Sequence, residues 1–341
     1  MSVRLASVRD ASFTEPPQSR FVVVRADGAD HALRGAVAAI GNFDGVHRGH
    51  KAVIARARSM AGRLGRPACV LTFDPHPRAF FGPGESVFSL TPEPVKLALF
   101  AREGLQGAIV LPFDGRLAAM SAHEFLAELL VNRLGLAGVV AGYDFHFGHA
   151  RQGTPTFLQE EGGRLGLAVE IVDPMTLDGG AVSSTAIRAA LVQGDVEAAA
   201  RMLGYRWLAR GVVQHGDKRG RTLGFPTANI RLPAGCALRH GIYAVRIAVD
   251  GVVRDGVASY GRRPTFDDGA PLLEVFVFDF KGDLYGKTVD VEFVAWIRGE
   301  LKFDSAEALV ARMDQDSAEA RTALARPADV PAPSALPLPA L

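Results

Sequence analysis

Up to Leu203, short apolar runs alternate with stretches whose apolar residues recur every three or four positions. Ala36–Ile40 is apolar throughout and reads as a buried strand. The turn-rich Gly41-Asn42-Phe43-Asp44-Gly45 follows, then a helix with Val53, Ile54, Ala57, Met60 and Leu64 on one face. Ala68–Phe73 is a second strand. Thr91-Pro92 has the form of an N-cap with proline at the first helical position, opening a helix to about Glu103. Gly107–Leu111 is a third strand, and Ser121 with Glu124 forms a capping-box pattern before a helix to Leu134. Val139–Ala141 and Val169–Val172 read as further strands, separated by a helix that starts near Thr154-Pro155. Ser184-Thr185 opens a short helix, and Asp195 caps another that ends at Leu203. Strand–helix alternation of this kind predicts a parallel sheet covered on both faces, with ligands at the carboxyl ends of its strands.

The pattern changes at Gly204-Tyr205. Trp207–Gln214, Gly241–Val249, Val252–Tyr260, Leu273–Phe280 and Val289–Ile297 are β-rich runs separated by Gly- or Asp-rich turns, the spacing of a small antiparallel barrel. A helix capped at Asp304/Ser305 and running to about Ala325 closes the domain. The expected division is 20–203, 204–325 and a Pro- and Ala-rich disordered tail, 326–341.

Composition narrows the partners. The chain has 341 residues, 48% hydrophobic and 22% charged, with a formal net charge of +1, so no global field marks a nucleic-acid or membrane-surface binder. Any polyanion must be gripped locally. Cys69 and Cys236 are far apart and form no CxxC pair, which suits a reducing, cytoplasmic setting. Met1 to Arg20 has no apolar core of a signal peptide, and no apolar run approaches the roughly 18 residues of a membrane helix.

In the first half, the segment Gly41 to His50 holds glycines where a strand turns into a helix. Backbone N–H groups at such a turn can approach a phosphate, and the helix N-terminus favours negative charge. His47 and His50 can donate to phosphoryl oxygens as charge builds on them. The plain alternative is a helix cap with two surface histidines. A zinc site is a weaker alternative, because His146 and His149 repeat the spacing with no cysteine beside them. Ser184, Thr185 and Arg188 place hydroxyls at a helix start and a guanidinium one turn later, a set that can hold a triphosphate or can simply cap the helix. Gly142 to Gly148 offers aromatic faces for a flat ring, or two phenylalanines packed into the core.

In the second half, the Gly- and Arg-rich loop containing Gly220 and Gly224 can wrap nucleotide phosphates. If extended, Thr227 and Asn229 direct two neutral oxygens the same way, a set that suits Mg²⁺; otherwise Pro-Thr-Ala-Asn is turn chemistry. Glu274 interrupts an apolar strand. A carboxylate so placed is either a general base accepting a substrate hydroxyl proton or an edge residue facing water.

Taken together, Gly41–His50, Thr72–Pro77, Gly142–Gly148 and Ser183–Arg188 resemble the FMN adenylyltransferase module of prokaryotic FAD synthetases. Gly220–Asn229, Gly241–Ala244, Gly261–Phe266, Glu274–Phe280, Gly282–Gly286 and Ile297–Ser305 resemble riboflavin kinase. The resemblance implies a Rossmann-like nucleotidyltransferase domain followed by a riboflavin kinase barrel, a bifunctional enzyme that makes FMN from riboflavin and then FAD, releasing pyrophosphate. It implies ATP as co-substrate and Mg²⁺. Dispersed basic residues and the net charge of +1 predict no nucleic-acid or membrane partner, and a weak homo-oligomer is compatible with the sequence. By the same resemblance, Gly41, Phe43, Asp44, Gly45, Ser184 and Thr185 join His47, His50 and Arg188 around ATP. Asp144 and Phe147 shape the flavin pocket, Thr227 and Asn229 hold the metal–ATP, Glu274 is the base, and Arg298 lies in a flavin-side closing segment. The chain departs from the common motif at Tyr143 and His146 and at Val257–Tyr260.

Overall fold

The computed structural model describes residues 21–25, 31–82, 88–216, 225–233, 235–262, 271–327 and 330. Gly220, Gly224, the segment Met1 to Arg20 and all of the tail except Arg326, Pro327 and Val330 lie outside the described residues.

The first half runs β1 (Val22–Val24), β2 (Val37–Ile40), α1 (Arg48–Leu64), β3 (Ala68–Asp74), α2 (Pro77–Phe81), α3 (Glu93–Arg102), β4 (Gly107–Pro112), α4 (Gly115–Ala119) and α5 (Ala122–Glu124). A π-helical stretch, Phe125–Arg133, continues α5. Then come β5 (Gly138–Gly142), α6 (Pro155–Arg164), β6 (Ala168–Val172), the small hairpin β7 (Thr176–Leu177) and β8 (Gly180–Ala181), α7 (Ser184–Gln193) and α8 (Val196–Leu203). Six strands form a parallel sheet in the order β1-β4-β3-β2-β5-β6.

The apolar runs are continuous because alternate residues feed two cores. Val37, Ala39, Val70 and Val110 pack under α1 and α3, whereas Ala38, Ile40, Leu71 and Ile109 pack under the π-helical stretch and α6. Strand order changes direction at β2, with β3 on one side and β5 on the other. That is the topological switch point where open α/β sheets form their ligand crevice.

The second half contains β9 (Leu208–Gln214), β10 (Thr227–Arg231), β11 (Gly241–Val249), β12 (Val252–Arg262), β13 (Pro271–Val277) and β14 (Thr288–Arg298), closed as an antiparallel barrel in the order β10-β13-β12-β11-β14-β9. Closure removes free sheet edges. Tyr243, Val245, Leu273, Val275, Val291 and Phe293 fill the interior. The closing helix α9 (Ala306–Leu324) lays Ala320 and Leu324 on Ala244, Phe278 and Val294. Bidentate pairing of Arg298 with Asp316, reinforced by Arg312, ties it to the end of β14. No helix among the described residues is long and apolar enough to cross a membrane.

Two local expectations change, one open alternative is decided and one strand is added. Leu64 is 46% exposed, because the last turn of α1 runs past the sheet. Thr91 does not cap α3. Pro92 occupies that position, and the Thr91 hydroxyl is spent on the Gly45 N–H instead. The segment from Thr227 is strand, not turn, because its alternate residues Ala228 and Ile230 point into the barrel. The short edge strand β1 was too brief to read from pattern.

Phe293 is fully buried between Tyr243 and Trp207. Phe293→Ala is expected to cost about 3–5 kcal/mol, measured as a lower midpoint in denaturant unfolding. An unchanged midpoint would show that this interior tolerates the void.

Candidate active sites

At the carboxyl end of β2 the chain turns through Gly41–His47 before entering α1. Phe43, Gly45 and Val46 all have positive φ (51°, 87° and 38°). Gly41 N–H donates to Leu71 O, Gly45 N–H to Thr91 Oγ1 and Val46 N–H to Phe43 O, which leaves the N–H groups of Asn42, Phe43 and Asp44 as the loop's donors for a ligand. Gly45 is required twice over: besides its φ, a Cβ there would lie 2.9 Å from Leu90 Cδ1. The loop's carbonyls act as acceptors that hold it in place. Asn42 O takes hydrogen bonds from Thr72 Oγ1 and Lys96 Nζ, Asp44 O from Ser184 Oγ, and Gly45 O from the Tyr205 hydroxyl.

His47 is the N-cap of α1, its Nδ1 accepting the His50 N–H at 3.2 Å. A neutral imidazole that accepts at Nδ1 carries its proton on Nε2, so Nε2–H is the donor. The two rings stack with centroids 3.5 Å apart, and Phe43 meets His50 edge-on. Burial pushes His47 down to about 4, against the attraction of Asp44. It pushes His50 well below the ordinary histidine range, assisted by the charges on His47 and Lys96. With a pKa near 4 only about one His47 in a thousand is protonated at pH 7. Both rings are therefore neutral hydrogen-bond donors, and fixed positive charge has to come from elsewhere.

Arg188, one turn into α7, supplies it. Its Nη2 pairs with the Asp44 carboxylate and its Nε donates to Phe88 O at 2.6 Å. Asp44 is 2% exposed, and its carboxylate also accepts from Ser89 Oγ and from the N–H groups of Leu90 and Thr91. Two expected phosphate contacts thus have positioning duties: Asp44 fixes Arg188 and the segment before α3, and Ser184 fastens the loop. Phe43 is likewise buried, against Phe100, and offers backbone only. Gly41, Thr185, His47, His50 and Arg188 line one cavity of about 840 Å³.

The same cavity reaches past β3 and β5. Asp144 lines it on an exposed turn whose carbonyl meets His146 Nδ1 at 2.9 Å. Phe147 is 6% exposed and packs against Phe125 and Phe145, so it is a floor under the more accessible Phe145. On the opposite wall Phe81 (67% exposed) and Phe113 meet edge-on beside Arg78. His76 also lines it, lowered by burial to about 4. Sequence reasoning missed Lys96, Thr91 and Tyr205. Lys96 alone had a visible signal, a lysine in the otherwise apolar run Val95–Phe100, and it is buried beneath the loop.

On the barrel, strand register brings the second set together. Asn229 of β10 pairs with Glu274 of β13, which pairs in turn with Ser259 of β12. Thr227 lies two residues from Asn229 on the same outward face, opposite the interior side chains. Asn229 Nδ2 donates to Thr227 O at 3.3 Å. Gly216 covers Asn229 so closely that a Cβ would sit 2.5 Å from its amide nitrogen. Arg298 stands apart, at the end of β14, held by Asp316 and donating to Gly299 O. Among the described residues no cluster of three or more His, Cys, Asp or Glu is arranged to hold a metal.

A parallel sheet with a tight loop, two histidines and an arginine at its switch point, followed by a closed barrel, is the architecture of a two-domain nucleotide-handling enzyme. The FAD synthetase family matches residues 29–186 and the riboflavin kinase family residues 203–324. The chain is 44% identical to a bifunctional riboflavin kinase/FMN adenylyltransferase of Pseudomonas fluorescens, over 86% of this chain and 94% of that one. Relatives of the same description in Listeria monocytogenes (40%, covering 85% and 93%) and Escherichia coli (36%, covering 84% and 92%) are similar. A crystal structure described as a macrolide-efflux protein from Streptococcus pneumoniae superposes with TM-score 0.80 at 31% identity, covering 88% of this chain and 98% of that one. The chain belongs to the family of bifunctional riboflavin kinase/FMN adenylyltransferases.

The buried imidazoles set a pH dependence. An unfolded histidine binds its proton near 6.5, but folded His47 does so only near 4, so acidification across that window favours the unfolded chain. Stability should fall from pH 6.5 to 4, by about 3 kcal/mol from His47 alone. His47→Asn keeps a helix-capping acceptor and is expected to flatten the fall in urea-unfolding free energy. An equally steep fall in that variant would assign the effect to other groups.

Proposed function

We propose that the chain phosphorylates riboflavin on the barrel and then adenylylates the resulting FMN at the sheet, with the domains meeting at Gly204 (20–203 and 204–325). What supports this reading is the presence of two unlike polar sites in one chain of this family. One is a tight loop at a strand end with an arginine beside it. The other is a carboxylate in register with a neutral oxygen pair.

At the sheet, an FMN phosphate oxygen attacks the α-phosphorus of ATP, the bond to the β-phosphate oxygen breaks, and pyrophosphate leaves. No proton needs to be removed from the attacking group. The work is positioning and neutralisation. The N–H groups of Asn42, Phe43 and Asp44 and the Nε2–H of His47, with His50 beside it, meet the growing charge. Arg188 and Thr185 hold the departing pyrophosphate, Asp44 aims Arg188, and Ser184 fixes the loop. The flavin ring lies along the aromatic wall that includes Phe145 over Phe147, near Asp144.

On the barrel, the ribityl 5′-hydroxyl attacks the γ-phosphorus, Glu274 takes the hydroxyl proton, and ADP leaves. Thr227 and Asn229 are the residues that would hold Mg²⁺, which when bound neutralises the phosphate oxygens. Gly220 and Gly224 belong to the segment proposed to wrap the nucleotide. Arg298 is assigned to hold the closing segment through Asp316, not to touch flavin. Free Cys69 and Cys236 suit a cytoplasmic setting.

Purified chain incubated with riboflavin, ATP and Mg²⁺ is expected to yield FMN and then FAD by chromatography. Glu274→Gln should lower FMN formation at least a hundredfold while FAD still forms from supplied FMN; His50→Ala should do the reverse. Loss of both activities from either folded variant would sink the two-site reading.

A further inference from the structure

The residues that join the two halves touch the phosphate loop directly. Tyr205 is 3% exposed, and its hydroxyl donates to Gly45 O at 2.6 Å. Gly45 is at the centre of the loop, and its N–H is tied to Thr91 Oγ1 at 2.8 Å. With Asn42 O and Asp44 O also accepting side-chain donors, and Phe43 O accepting Val46 N–H, all four carbonyls from 42 to 45 are occupied. A carbonyl released from such a set is free to rotate with its peptide plane, and the N–H of the next residue turns with it. Tyr205 therefore fixes the Gly45–Val46 peptide plane, whose N–H closes the turn onto Phe43 O and so holds the shape of the whole loop.

Trp207 works on the other support of the same site. Its indole N–H donates to Leu90 O at 2.9 Å, and Leu90 N–H donates to Asp44, the carboxylate that aims Arg188. On its other side Trp207 is fixed to the barrel: its carbonyl accepts Phe293 N–H at 3.0 Å, and its ring lies 5.0 Å from that of Phe293 in β14. Phe88 meets the indole edge-on, and Phe88 O is the second acceptor of Arg188. Two side chains thus connect the barrel wall to the loop after β2 and to the arginine.

We propose that Tyr205 and Trp207 are positioning residues for adenylyl transfer, so that the barrel serves the sheet as a brace as well as carrying its own reaction. The proposal rests on the functional reading above. Neither residue belongs to the phosphorylation site on β10 and β13, so the chain's first reaction is an internal control for folding.

The test uses the full chain with Tyr205→Phe and Trp207→Phe, each of which keeps the ring and deletes one donor. Losing a buried hydrogen bond is worth about a factor of ten. Each variant is expected to show kcat for FMN adenylylation about tenfold lower, KM for FMN within about twofold of the parent, and riboflavin phosphorylation within about twofold. Inorganic pyrophosphate, titrated by calorimetry, should bind severalfold more weakly. Adenylylation constants and pyrophosphate affinity unchanged in both variants would overturn the brace, as would equal losses in both reactions, which mark general damage to the fold. If the parent chain makes no FAD, the functional reading fails while pyrophosphate affinity still judges the brace.

Discussion

The buried pair between Asp44 and Arg188 is the constraint on which the first site rests. A carboxylate 2% exposed is tolerable only with its oxygens fully engaged, and this one takes donors from the 88–91 segment as well as from Arg188. Those bonds join residues more than forty positions apart in sequence. They fix where α3 begins, where α7 points its guanidinium, and how the loop after β2 is held. Removing either partner leaves the other as an uncompensated buried charge.

Around that pair the site divides its labour. The imidazoles are held neutral by burial, in His50 with help from neighbouring His47 and Lys96, so they offer directional N–H groups without charge. Lys96 is itself pushed below the usual lysine range by burial, opposed by Asp44, Asp74 and Glu93. Its Nζ serves the Asn42 carbonyl rather than the cavity. The barrel solves a related problem differently. Instead of a loop it uses a strand pair, aligning Asn229 with Glu274 across it, where register sets their separation.

Strands and caps were legible because each depends on local chemistry. Ser121 with Glu124, Thr154, Asp195 and Ser305 all cap as their spacing indicates. The motif residues His47, His50, Thr185 and Arg188 do meet at one cavity. What the sequence hid is the direction in which side chains are used. Asp44 and Ser184 sit within the motif yet serve it from behind, and Tyr205 acts from 160 residues away. Likewise, no local pattern tells that Arg298 spends itself on Asp316. The interdependence of Asn229 and Glu274 is a matter of sheet register, which emerges only once the barrel closes.

Trp207 and Leu208 belong to the same apolar cluster as Leu90, Leu203 and Phe293, so the interior of the sheet half continues without a break into that of the barrel. Such continuity limits modular exchange. A barrel borrowed from another protein would have to bring an indole at the seam and an aromatic ring beneath it, or Leu90 would lose a bonding partner and the graft would leave a void. In this chain the two halves share one interior.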